Sequence, residues 1–113
     1  MGETTANKPH VVALASDGKY YRIEPSVTLA LPGDKVSFQN LSGCKATLLF
    51  PEKGLFSETE IPLEIGGKAI LDIPAKYVEA GAYLFSVYFH GTLMKASNDY
   101  EPAIIVYIEE DEL

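Results

Sequence analysis

Few residues in this chain have chemistry to offer. There is one cysteine, Cys44, and the histidines are His10 and His90; Met94 is the only methionine inside the chain. His90 and Met94 share one short segment, and a trio of Cys44, His90 and Met94 would suit Cu(I), a soft ion that tolerates low coordination. The plainer reading makes His90 a partly exposed loop residue, Met94 a gap-filler and Cys44 a small buried or turn residue. Ser42-Gly43-Cys44-Lys45 sets a thiol beside a cation that could lower its pKa. No pattern supplies the base and oxyanion donors of a nucleophilic enzyme, so a surface turn is favoured there. His10 falls in a segment that reads as an N-terminal arm, and general acid–base work would need it beside a partner. The expectation is that the protein is not an enzyme, with no catalytic residue, no cofactor, and copper only as the alternative.

The elements that must position these residues are strands. Two-residue periodicity recurs at spacings of ten to fifteen residues. Val11 to Ala15 runs into the turn Ser16-Asp17-Gly18, and Tyr20 to Glu24 follows. Val27, Leu29 and Leu31 alternate with Thr28 and Ala30. Leu31-Pro32-Gly33-Asp34 is a strong turn, since Pro presets φ and Gly accepts a left-handed backbone. Val36 and Phe38 then share one face, and Asn40 to Gly43 breaks the pattern before Ala46 to Phe50, where Pro51 stops further pairing. Glu52 to Leu63 reads as a long connection. Ala69, Leu71 and Ile73 alternate until Pro74, and Ala75 to Ala80 is the one stretch that could form a helical turn. Tyr83 to Phe89 and Ala103 to Ile108 are the strongest strands. Short strands, Gly and Pro turns and no convincing helix imply an all-β, two-sheet antiparallel Greek-key sandwich of seven to eight strands. One domain covers 1–113, with 1–9 as an arm and 109–113 as an acidic tail.

Composition narrows the function classes. The 113 residues, 47% of them hydrophobic, can bury one core and leave no room for a second domain. No apolar run reaches the ~20 residues that cross a bilayer as a helix. The net charge of −7 draws on Glu109, Glu110, Asp111 and Glu112 for four of the sixteen acids, while the nine basic residues are scattered with no two adjacent. Nucleic acid is therefore an unsuitable partner. A lone cysteine makes no internal disulfide, and Met1 to His10 has neither the basic start nor the apolar middle of a secretory signal. The chain as given points to the cytoplasm; a removed leader would place it in the periplasm or outside the cell. The expected partner is protein, with a homo-oligomer as one form of it. If Tyr83, Phe85, Val87 and Phe89 face the core, Leu84, Ser86 and Tyr88 face outward. Leu84, Tyr88, Tyr100 and Tyr107 are then the candidate interface residues.

Glu79-Ala80-Gly81-Ala82-Tyr83 resembles a tyrosine corner, which turns a chain from one sheet of a sandwich into the other. Immunoglobulin domains use this device, but this chain has no Trp and Phe85 stands where the second Cys would be. The fuller resemblance is to the cupredoxins, the plastocyanin and azurin family, from about Val27 to the end. Leu31 to Asn40 resembles the family's turn, strand and terminal Asn. Ala46 to Phe50 resembles the strand that bears the first copper-ligating His, Gly81 to His90 the corner, penultimate strand and ligand loop, and Glu101 to Ile108 the closing strand.

The resemblance implies a type 1 copper centre of two imidazoles, a thiolate and a weak axial thioether. Ala46 fills the first His position, and Val87, four residues after Tyr83, fills the thiolate position. His90 matches the second His, and Met94 lies close to the axial Met. With half the set missing, a type 1 site is not expected. The chain reads as a non-enzymatic binding or assembly module of unknown ligand, the alternative being a copper-handling protein with a nonstandard Cys44, His90 and Met94 site.

Overall fold

In a computed structural model, residues 9–95 and 102–108 are described, apart from the side chains of Met94 and Lys95. They form eleven strands and no helix. These are β1 (Pro9–Ser16), β2 (Tyr20–Glu24), β3 (Val27–Ala30), β4 (Lys35–Asn40), β5 (Ala46–Leu49), β6 (Glu60–Leu63), β7 (Lys68–Asp72), β8 (Gly81–Leu84), β9 (Ser86–Phe89), β10 (Met94–Lys95) and β11 (Ala103–Val106). One sheet has the order β10-β2-β1-β4-β7. The other is laid out as β3-β11-β8 and β6-β5-β9. Only Phe85 separates β8 from β9, so the run from Gly81 to Phe89 joins these two halves into the second layer of a sandwich.

The core lies between the layers and follows the alternation. Val12 and Leu14, Val36 and Phe38, Leu48, Val87, Ile104 and Val106 are all buried. Phe85 interrupts the strand to point inward, 5.6 Å from the Phe38 ring of the other sheet, and Phe50 packs on both Phe85 and Phe56. Burying such aromatic rings against one another supplies both area and edge-to-face attraction. The corner is present: the Tyr83 hydroxyl donates to the Glu79 carbonyl, and Gly81 holds φ at +155°, a backbone state open to glycine. The Leu31–Asp34 turn closes through Asp34 N to Leu31 O at 3.1 Å, with Gly33 at φ +90°.

Several expectations need correction. The sandwich is not purely antiparallel, because β1 runs parallel to β4, β11 to β3 and β10 to β2. Parallel neighbours require a long crossover, and the described residues hold no helix to give it its usual form. Here strands of the chain supply the crossover, as when β2 and β3 carry it from β1 to β4. The strand count exceeds seven to eight because the break at Phe85 divides one strand and because β6 and β10 are short additions at the edges. β6 lies inside the expected long connection; its Glu60 and Pro62 suit an edge and hide it from pattern reading. Ala75 to Ala80 forms no helical turn, and Tyr77 sits at φ +64°. The first strand begins at Pro9, inside the expected 1–9 arm, and His10 belongs to it, paired with Val36. His10 Nε2 lies 2.9 Å from a carboxylate oxygen of the buried Asp34, which also accepts from Leu31 N at 2.9 Å. The 109–113 tail lies outside the described residues.

Candidate functional site

The end of the sandwich where β5 starts and β9 finishes is where the ligand positions fall. His90 N donates to Lys45 O at 2.8 Å, extending the β5–β9 ladder by one rung and bringing the two segments together. Ala46 pairs with Phe89 on one side and Leu63 on the other, and it is buried. Val87 pairs with Leu48 and is buried with it. Both positions that would have held an imidazole and a thiolate are thus aliphatic parts of the core.

Cys44 is half-buried at the tip of the loop between β4 and β5. That loop is pinned from below by Asn40, which is fully buried. Its carboxamide nitrogen donates to the carbonyls of Cys44 at 2.8 Å, Glu64 at 3.0 Å and Leu63 at 3.3 Å. Its oxygen accepts from the Ser42 hydroxyl at 2.7 Å and from Ser42 N at 3.2 Å. Above the loop, Tyr21 of β2 stacks on Phe89 with ring centres 4.4 Å apart. A hydrogen bond between its phenol and the Cys44 thiol, reinforced by desolvation, holds the phenol above its ordinary value near 10. Gly91 leaves room for this arrangement, since a β-carbon there would fall 1.8 Å from the Tyr21 oxygen and 3.0 Å from the Cys44 sulfur. Nothing in the order of residues marks Tyr21, which reads as an ordinary strand residue.

His90 is turned the other way. Its Nε2 lies 2.9 Å from the Thr47 hydroxyl, and its ring meets that of Tyr88 edge-on at 4.6 Å. Thr47 pairs with Tyr88 across β5 and β9, so all three sit on the outward side of the second sheet. Cys44 and His90 therefore have separate surroundings: the thiol contacts Tyr21 and Ser42, the imidazole Thr47 and Tyr88. The Met94 backbone pairs with Tyr20 in β10, and its side chain lies outside the described residues. Among the described residues no group of three or more His, Cys, Asp and Glu could hold a metal ion. The donor set does not fit a type 1 copper ion, because Ala46 and Val87 carry no donor atom. The hollow beside His90, lined by Lys45, Thr47, Pro62 and Glu64 among others, measures about 140 Å³, less than ligand pockets usually need.

The outward side of the second sheet is the largest feature left. Leu84, Tyr88 and Tyr107 are exposed, as expected, at 49%, 58% and 42%. Tyr100 lies outside the described residues. The cross-strand registers add two residues that the sequence reading left out. Val27 stands level with Ala103 and Leu84, and Leu29 with Ile105 and Ala82; both β3 residues are exposed, Leu29 at 58%. Their signal was available in the alternation of β3, whose outward positions are apolar too. From β3 through β11 and β8–β9 to β5, no outward strand position carries a charge; the first is Glu60, on the edge strand β6. No helix among the described residues is long and apolar enough to cross a membrane.

Comparison with known proteins places the fold. No protein-family model and no curated protein matches the sequence. Among solved structures, the chain is similar to an oxidized point mutant of amicyanin, with 18% identity, a TM-score of 0.58, and 91% of this chain and 86% of that one covered. It is similar to pseudoazurin from Methylobacterium extorquens AM1 at 14% identity and a TM-score of 0.53, covering 92% and 79%. A multicopper oxidase from Campylobacter jejuni matches at 16% identity and 0.53 over 91% of this chain, which spans 26% of the oxidase. The fold is cupredoxin-like, and the described residues where β5 starts and β9 finishes show no Cys, His and Met copper site.

Proposed function

We propose that this chain is a non-enzymatic binding or assembly module, a cupredoxin-like sandwich without type 1 copper that engages a protein partner through the outward side of its second sheet. The observation that carries this reading is the uncharged apolar face, with Val27, Leu29, Leu84, Tyr88 and Tyr107 exposed on a chain of net charge −7. The largest contiguous apolar patch on a monomer, typically about 300–600 Å², is often a binding site. Tyr supplies large contact area with a polar tip and suits such anchoring. Leu84, Tyr88 and Tyr107 are the anchors, with Thr47 and His90 as the polar rim.

Two measurements test it. Cu(II) added to the purified protein is expected to give no intense thiolate-to-copper band in the visible spectrum; such a band overturns the copper-free part. A photo-reactive side chain placed at position 84 in the producing cells is expected to yield a protein adduct, and the same group at position 35, on the opposite sheet, is not. Absence of any adduct at 84 overturns the binding part.

A further inference from the structure

We infer that the occupant of this face is a second copy of the same chain, the two second sheets stacking face to face about a twofold axis parallel to the strands. The inference rests on the binding reading above and names its partner. A twofold interface sets a patch against itself, so any charge within it meets charge of the same sign near the axis. The outward side of the first sheet carries Arg22 and Glu24 on β2, Lys35 on β4, and Lys68 and Asp72 on β7, all exposed. With acids exceeding bases by seven over the whole chain, a surface free of both is where two copies can approach without repulsion. The second sheet offers four adjacent strands of such surface. A twofold axis parallel to the strands sets Glu60 of β6, the acid at an outward position among the described strands of this sheet, over the second copy's β3 side and away from its own counterpart.

The area agrees with a dimer that forms reversibly. Val27, Leu29, Leu84, Tyr88 and Tyr107 keep between 41% and 58% of their surface open. Together with Ile105 and the smaller residues between them, that amounts to roughly 600 Å² per copy, or about 1,200 Å² in total, the lower end of specific interfaces. Stacked sheets sit about 10 Å apart, close enough for Leu84 and Tyr88 to interdigitate with the second copy's Leu29 and Ile105. Packing of this kind would cover residues that otherwise stay open to water on both sides of β11.

Sedimentation equilibrium of the full chain between about 10 µM and about 1 mM tests this, a range that brackets the affinity such an area supports. The apparent mass is expected to double across the range. Leu84→Lys should weaken association by about 30-fold or more, as truncating or charging a central anchor does, while Ile70→Lys, on the exposed side of β7, should leave it unchanged. Tyr88→Arg, at a more exposed site, repeats the test if Leu84→Lys does not fold. A wild-type chain that stays monomeric at about 1 mM, or a dimer that neither face variant weakens, overturns the inference. The photo-adduct at position 84 separates the two claims: an adduct of twice the chain mass supports both, and an adduct with a different protein supports the binding reading and overturns the second copy.

Discussion

Replacing Asn40 should unfasten the end of the sandwich where β5 starts more than any other single polar change. The side chain is fully buried and holds three carbonyls, at Cys44 in the loop before β5 and at Leu63 and Glu64 where β6 ends, while its oxygen receives Ser42. An amide nitrogen has two hydrogens, so the Leu63 contact at 3.3 Å shares one with a nearer carbonyl. Beside the longer bond from Ser42 N at 3.2 Å, three shorter hydrogen bonds remain, two donated and one accepted from the Ser42 hydroxyl, each of the three worth about 1 kcal/mol net. Asn40→Ala also strands the Cys44 and Glu64 carbonyls until water enters, which raises the expected loss to about 3–4 kcal/mol. With a urea m-value of about 2 kcal/mol/M, the unfolding midpoint should fall by about 1.5–2 M. Asn40→Asp is the sharper variant, because it keeps the shape but turns two donors into an acceptor facing three carbonyls, inside a dry site. It should cost more than Asn40→Ala at neutral pH and recover part of that loss as the pH falls and the carboxyl takes up a proton. Urea unfolding followed by tyrosine fluorescence and far-ultraviolet circular dichroism reads both. A loss below about 1 kcal/mol for Asn40→Ala, or an Asp variant as stable as the Ala variant at pH 7, would refute the view that this amide is the anchor of the loop.

The contact of Gly91 with Tyr21 makes a second, independent forecast. Gly91→Ala should destabilise by about 2–3 kcal/mol through overpacking, and the loss should shrink when combined with Tyr21→Phe, since the β-carbon collides first with the phenol oxygen; additive losses in the double-mutant cycle would show that the two do not touch. Asp17 accepts from Lys19 N and Tyr20 N at 2.9 Å each and from Arg22 Nε at 3.0 Å, and its carboxyl is lowered from 3.8 to about 2. A depressed folded value means stability present above the unfolded value and lost as pH falls through the folded one. The advantage of the wild type over Asp17→Ala should therefore hold above pH 4 and disappear between about 4 and 2, with a carboxyl carbon shift titrating near 2 as the direct check.

How much of this is legible in the order of residues depends on which face of each strand has a reason to alternate. Val36 and Phe38, Leu71 and Ile73, and the Tyr83 to Phe89 run can be placed because one side is buried and the other is wet, which writes a period of two into the sequence. The outward direction of Leu84 and Tyr88 follows from the same rule. β6 escapes it because an edge strand with Pro62 has little buried side to betray it. The parallel pairings escape for a different reason: hydrophobic pattern reports faces, not neighbours, so nothing in the order of residues distinguishes β1 beside β4 from β1 beside another strand. The separation of Cys44 from His90 is equally hidden, since it depends on Tyr21 arriving from β2 to occupy the thiol.

Backbone and side chains of this chain tie the β5 end to the loop after β9. The ladder bond from His90 N to Lys45 O makes the shortest such tie. Tyr21 adds a second, stacking on Phe89 while its phenol reaches Cys44 and receives Leu93 N at 3.4 Å, so one side chain spans the loop before β5 and the loop after β9. Asn40, from beneath, fastens the loop before β5 to the end of β6. The ladder bond, the Tyr21 stack and the Asn40 hydrogen bonds together hold this end of the sandwich. His90 lies on the outer sheet surface beside Tyr88, where it borders the apolar face. Ala46 and Val87 pack in the core while the outward sheet positions are apolar and open, so the proposed partner is expected on the sheet and not at the end of the sandwich.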